Sequence, residues 1–234
     1  MARQSLVSMV SDHLFDRIIA GDFPPDAALP GELELTAHHD VSRLTVREAI
    51  KTLEAQSVVR IERGRGTFVN PVNRWESMDM VLRATMEAGN NAEASIQLIE
   101  VRRMLETGAA ELAATRITTN ELDSLRHHLT SMQESHDTAD LTRFVEADLA
   151  FHNVILHASG NVFLAVMFEP LSRVIAARRK ETSRVPEIQA HAIREHAEII
   201  TALASGGAES ARLAMDSHMA QTMRDLKTYV LKRQ

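Results

Sequence analysis

From Trp75, the only tryptophan, to the last residue, no stretch alternates apolar and polar side chains as a strand would. Apolar residues recur instead at helical spacing, which leaves little choice of fold for two thirds of the chain. The pattern predicts helices over about 75–89, 92–116, 119–136, 138–158, 161–182, 186–205 and 208–231. Breaks are marked by Gly89-Asn90, Thr118-Thr119-Asn120, His136-Asp137, Gly160-Asn161, Pro186 and Gly206-Gly207. Such a segment folds as an all-α bundle with a core of its own. A chain of 234 residues has room for a second, smaller domain before it.

That first part reads differently. Leu6, Val10, Leu14 and Ile18 recur every four residues, so residues 5–20 form an amphipathic helix, ended by Gly21 and Pro24-Pro25. A short helix follows over about 31–38, broken at Asp40. A third runs over about 44–56 with Val46, Ala49, Ile50 and Leu53 inward, capped by Ser42 or by Thr45. Residues 58–61 and 67–69 then read as two short strands, joined by a turn in which Gly64 and Gly66 supply positive φ angles. Three helices and a hairpin make a winged helix-turn-helix, whose later helix enters the major groove while the wing touches the backbone or minor groove. The expected fold is therefore mainly α: a winged helix-turn-helix over 1–70, a linker over 71–74, and an all-α helical bundle over 75–234.

Charge fits that division. The net charge of −6 would argue against a nucleic-acid partner if it were evenly spread. Residues 1–41 carry two basic and seven acidic side chains, whereas residues 42–75 carry seven basic and three acidic. A basic patch inside an acidic chain is either a solvated face or an electrostatic footprint for DNA, and the winged scaffold favours DNA. Arg43, Thr45 and Arg47 lie opposite the apolar face of the third helix, where arginine can read guanine or pair with phosphate. Arg63 and Arg65 flank Gly64 at the wing tip, where the bare backbone can approach DNA closely.

The segments LPGELEL, VSRLTVREAIKTLE and GRGTFV, in that order, resemble the DNA-binding domain of the GntR superfamily of bacterial transcription regulators. The resemblance covers residues 6–70 and implies DNA contacts by Ser42, Arg43, Thr45, Arg47, Arg63, Gly64 and Arg65. Three places depart from the family pattern. Leu33 stands where an arginine is usual, Leu44-Thr45 where Thr-Pro is common, and Gln56-Ser57 where Glu-Gly is usual.

In the helical part, Asp148 and His152 stand four residues apart among Leu149, Phe151, Val154 and Ile155. Both share one helix face and can reach one ion. With eleven histidines in the chain a chance pair is the competing explanation. DLAFH, EHAEII and DSHM resemble the metal-binding FCD sensor domain of the FadR-like GntR branch, and as a whole the chain looks most like the lactate-utilisation repressors within it. That resemblance implies a metal set of Asp148, His152, His196 and His218. The EVR and LE residues at 100–102 and 105–106 match the family's opening motif, which places Arg102 beside the effector, with Arg103 as its neighbouring competitor.

Imidazole and carboxylate ligands without thiolate suit zinc, with nickel or manganese as alternatives. The function implied is a homodimeric repressor on a palindromic operator, released when a small carboxylate, above all L-lactate, chelates the metal. It is not expected to be an enzyme. The alternatives are a metal-dependent enzyme using Glu195 or Glu198 as base, and a repressor whose metal is a structural clip or itself the signal. The chain has no cysteine, no signal-like apolar region and no apolar run long enough to span a bilayer, which points to the cytoplasm.

Overall fold

The computed structural model describes residues 5–87 and 91–233. It divides into two compact units, residues 1–91 and 92–234. In the first, α1 (Leu6–Ile19), α2 (Glu32–His39) and α3 (Arg43–Ala55) precede β1 (Val59–Glu62) and β2 (Gly66–Val69). Ser5 caps α1 by accepting from the Ser8 backbone N–H at 3.1 Å. The cap of α3 is Ser42, which accepts from the N–H of Thr45 at 3.1 Å; Thr45 lies inside the first turn and its hydroxyl meets that of Ser42. Val10, Leu14 and Ile18 of α1, as their spacing predicts, close together with Phe15 on Val46, Ala49, Ile50 and Leu53 of α3, whereas Leu6 in the first turn of α1 is exposed.

The strands pair antiparallel, Val59 with Val69 and Glu62 with Gly66. Gly64 and Gly66 hold φ angles of 77° and 125°, which a side chain would strain, and so let the wing turn tightly. Beyond the hairpin, the loop before α2 joins the sheet edge. Leu29 N–H donates to the Thr67 carbonyl at 2.8 Å, and Asp26 N–H to that of Val69 at 2.9 Å.

The boundary between the units falls later than the linker at 71–74 expected from sequence. Residues Val72–Arg74 form a single 3-10 turn, and Trp75 buries its indole in the winged core, 5.5 Å from the ring of Phe15. Helix α4 (Met78–Glu87) follows it there: Ala84 joins the same core, and Arg83 bonds Asp16 of α1 at 2.6 Å. The predicted helix at 75–89 is therefore α4, and it completes the winged unit. Its expected break at Gly89-Asn90 lies outside the described residues.

The second unit consists of α5 (Asn91–Ala114), α6 (Thr119–Asp137), α7 (Leu141–Ala158), α8 (Val162–Thr182), α9 (Pro186–Ala204) and α10 (Ala208–Asp225). Thr118 and Glu121 form a reciprocal capping box at the start of α6. Helix α7 packs on α6 and α8, and α9 on α6 and α10. Phe144, Phe151 and Ile155 of α7, Ile199 and Leu203 of α9 and Met215 of α10 are buried. Helix α10 stops short of the predicted 231. After Asp225, held by His191 and Gln221, the backbone widens into a π turn over Leu226–Val230.

A candidate metal and effector site, and a candidate DNA surface

Helix α7 turns one face wholly inward, and on it lie Asp148 and His152. His196 of α9 and His218 of α10 meet them in the interior. The three imidazoles cluster, with ring centroids 5.1 Å apart for His152 and His196, 5.2 Å for His152 and His218 and 4.6 Å for His196 and His218. One nitrogen from each lies within 4.8 Å of the others. All three side chains are buried.

Their hydrogen bonding is incomplete in a specific way. His196 Nδ1 lies 2.6 Å from the Ala192 carbonyl, which makes it the protonated nitrogen and leaves a lone pair on Nε2. That Nε2, the Nε2 of His152 and both nitrogens of His218 have no hydrogen-bond partner. Buried polar atoms without partners are rare and costly, and three sets of lone pairs converging on one point are the arrangement a metal satisfies. Burial, then the neighbouring His152 and Arg179 charges, outweigh Asp148 and push the His196 pKa down to about 3. Burial and the other imidazoles push His218 well below its usual value. Both are thus neutral at pH 7, the state a ligand requires. The donors fit a divalent transition metal.

Two charged groups that sequence reasoning did not assign to the site complete it. Arg179 of α8 is buried and donates to both oxygens of Asp148, through Nε at 2.6 Å and Nη2 at 2.7 Å. Burial alone would raise the Asp148 pKa, but Arg179 and the nearby imidazoles bring it down to about 2. Asp148 therefore sits 3.5 Å from His196 Nε2 as a carboxylate held by arginine rather than turned fully to the histidines. Glu106 of α5 is the second group. Its Oε2 lies 2.5 Å from His152 Nδ1, and its Oε1 accepts from Arg102 Nε at 2.7 Å. Against the effect of burial, Arg102 and His152 hold the Glu106 carboxyl well below the usual carboxylate range.

A signal for Arg179 exists in the sequence. Leu171, Ile175 and Arg179 share the inward stripe of α8, but the run Arg178-Arg179-Lys180 resembles a solvated face.

A cavity of about 550 Å³ opens beside the cluster, with Arg102 and His152 in its wall. Arg103 turns elsewhere and grips Asp216 of α10 at 2.5 and 2.7 Å. Of the two neighbouring arginines, only Arg102 lines this cavity. Neither Glu195 nor Glu198, the candidate bases of the enzymatic alternative, is part of its wall, although Glu169 is. His136 and His157 bond Gln189 and the Asn153 carbonyl, apart from the cluster.

On the winged unit, Arg43, Leu44, Arg47 and Lys51 are exposed along α3, and Arg63, Gly64 and Arg65 at the wing tip. Ser42 is also exposed, while Thr45 is half-buried. Arg47 Nε bonds Glu32 of α2 at 2.8 Å. Arg65 pairs with Glu62, and its guanidinium lies 5.4 Å from the centre of the Phe68 ring. Leu33 and Leu44, two of the departures from the family pattern, are strongly exposed. Among the described residues no helix is long and apolar enough to cross a membrane.

Comparison with known proteins agrees with both halves. Residues 6–69 match the gntR family of bacterial regulatory proteins, and residues 97–221 match the FCD domain. The chain is 28% identical to the galactonate operon transcriptional repressor of Escherichia coli (strain K12), over 90% of this chain and 92% of that one. It is 34% identical to the HTH-type transcriptional regulator YieP of the same organism, over 70% of this chain and 71% of that one. A third relative, whose name ties it to the L-lactate dehydrogenase operon of Escherichia coli (strain K12), is 26% identical over 94% of this chain and 87% of its own. Among solved structures, a GntR protein of Streptococcus agalactiae superposes with a TM-score of 0.54 at 26% identity, covering 93% of this chain and 99% of that one. The chain belongs to the gntR family of bacterial regulatory proteins and is a DNA-binding transcriptional regulator with an FCD domain behind its winged helix.

Proposed function

We propose that this regulator is a repressor, released from its operator by a small 2-hydroxy carboxylate bound at a divalent metal in the helical unit. The observation that carries the proposal is the set of unpartnered imidazole nitrogens on His152, His196 and His218. Asp148 is the fourth ligand in this reading, shared with or surrendered by Arg179. Zinc is the first choice of metal, with nickel and manganese behind it. A bound metal would supply open coordination positions to which a carboxylate and its neighbouring hydroxyl can attach. Arg102, in the wall of the adjoining cavity, is positioned to clamp the carboxylate.

L-lactate is the first acid to test. Galactonate and L-lactate, the acids in two relatives' names, are both 2-hydroxy carboxylates. The cavity has room for more than three carbons, and Leu149, Leu156, Val166, Phe168 and Ile175 line it. Longer 2-hydroxy acids with apolar tails are therefore the natural competitors. Two copies of the chain would place two recognition helices on a palindromic operator. There Ser42, Arg43, Thr45 and Arg47 face the groove, and Arg63, Gly64 and Arg65 meet the backbone. The acid weakens DNA binding only to the extent that it prefers the arrangement unsuited to the operator.

Fluorescence anisotropy of the metal-loaded protein on DNA from its own upstream region tests this at fixed salt. Release by one acid, abolished in His152→Ala while DNA binding persists, is the expected result. Tight binding indifferent to every acid would sink the effector and favour a structural or metal-sensing site. Turnover of an acid that disappears on metal removal would favour an enzyme.

A further inference from the structure

A second histidine cluster lies in the winged unit, far along the chain from the first. His13 projects from α1, and His38 and His39 from the last turn of α2. The rings of His13 and His39 are 4.9 Å apart and those of His38 and His39 also 4.9 Å, both edge to face, while His13 stacks on His38 at 5.7 Å. One nitrogen of each falls within 4.8 Å of the other two. His13 and His38 are exposed, whereas His39 is half-buried and its Nε2 is a buried atom with no hydrogen-bond partner.

We infer that His13, His38 and His39 form a second divalent-metal site, which takes a zinc-like or copper-like ion and ties α1 to α2. The donors are imidazole nitrogens alone, which selects first-row transition ions over magnesium or calcium. Metal–nitrogen bonds of about 2 Å place ligand nitrogens of a tetrahedral site about 3.3 Å apart. The present spacing, within 4.8 Å, is wider than that, so binding draws the two exposed rings inward, and water completes the shell. The site also lies at the carboxyl end of α2, where helix carbonyls favour a cation. Burial first, then the neighbouring His13, His38 and Arg17, lowers the His39 pKa, and the Arg17 guanidinium is itself engaged by Asp22 at 2.8 Å. On this geometry the ion would fasten α2, whose first residue, Glu32, holds Arg47 of α3.

The inference does not depend on the sensor cluster. Untagged full-length protein, stripped with chelator, is dialysed against micromolar zinc chloride and its bound zinc counted by elemental analysis. His13→Ala/His38→Ala should lose one equivalent per chain relative to wild type. The same loss should appear when both substitutions are added to His196→Ala/His218→Ala, where the sensor cluster is broken. Because His13 and His38 are exposed, the first variant should retain wild-type helical circular dichroism. Failure of the sensor reading alone would show as one equivalent in wild type and none in His13→Ala/His38→Ala. No loss in either background, or loss in only one, would overturn the second site.

Discussion

Ser57 has a φ of 56°, a left-handed conformation at the position where the resemblance to GntR regulators implies glycine. A side chain there costs roughly 1–2 kcal/mol, partly offset because glycine would leave the unfolded chain freer. Ser57→Gly should therefore stabilise the winged unit by up to about 1 kcal/mol, visible as a higher melting temperature. Arg179 is the more consequential side chain. Its removal leaves Asp148 charged, buried and without its two hydrogen bonds, and such losses cost about 3–5 kcal/mol. Arg179→Met should thus weaken the metal-free protein by that order in urea unfolding. Zinc should restore much of the loss, since a cation at the histidines also answers the Asp148 charge. If zinc did not restore it, the carboxylate would not belong to the metal set.

Among the elements, the proposed function gives α3 and the wing different work on DNA. Arg43 stands on the exposed face of α3, so Arg43→Ala should cost about 1–3 kcal/mol on the operator and flatten specificity at one position. Arg63→Ala and Arg65→Ala should instead weaken binding to all sequences alike and reduce the salt slope by about one each. Anisotropy titrations on operator and unrelated DNA at several salt concentrations separate the two behaviours. The elements themselves were legible because their periods are clean: Val46, Ala49, Ile50 and Leu53 predict the buried face of α3 residue for residue. Trp75 was harder to assign. A lone aromatic after a short linker carries no period, and its place under α1 comes from tertiary packing. Asp148 and His152 could be paired by spacing, but nothing local joins them to Arg179 or Glu106, which approach from other helices. The cluster of His13, His38 and His39 escaped for the same reason.

For the helical unit as one cooperative body, acidity is the simplest probe. In metal-free protein His196 has a folded pKa of about 3 against an ordinary 6.5, so the unfolded chain takes up its proton first. The stability held by the neutral ring is complete above pH 6.5 and drains away as pH falls toward 3. Asp148 adds a later loss, from about 3.8 down to about 2, where its carboxylate is finally protonated. Urea midpoints for this unit should therefore begin to fall just below pH 6.5. Bound zinc should delay that fall, because protons then compete with the metal for the imidazoles. A midpoint flat from pH 7 to pH 4 in stripped protein would contradict the neutral, buried cluster.

The indole of Trp75 is 9% exposed, and its Nε1–H donates to the Asn70 carbonyl at 2.9 Å. It is the chain's single tryptophan, and the sole tyrosine, Tyr229, is in the other unit. Excitation in the red edge of the ultraviolet absorption band therefore addresses the DNA-reading half alone. Its emission should shift to longer wavelength only when that half opens to water, whatever the helical half is doing. The protein thus carries its own optical reporter, by which the opening of the winged half can be followed apart from the rest of the chain without a dye or a label.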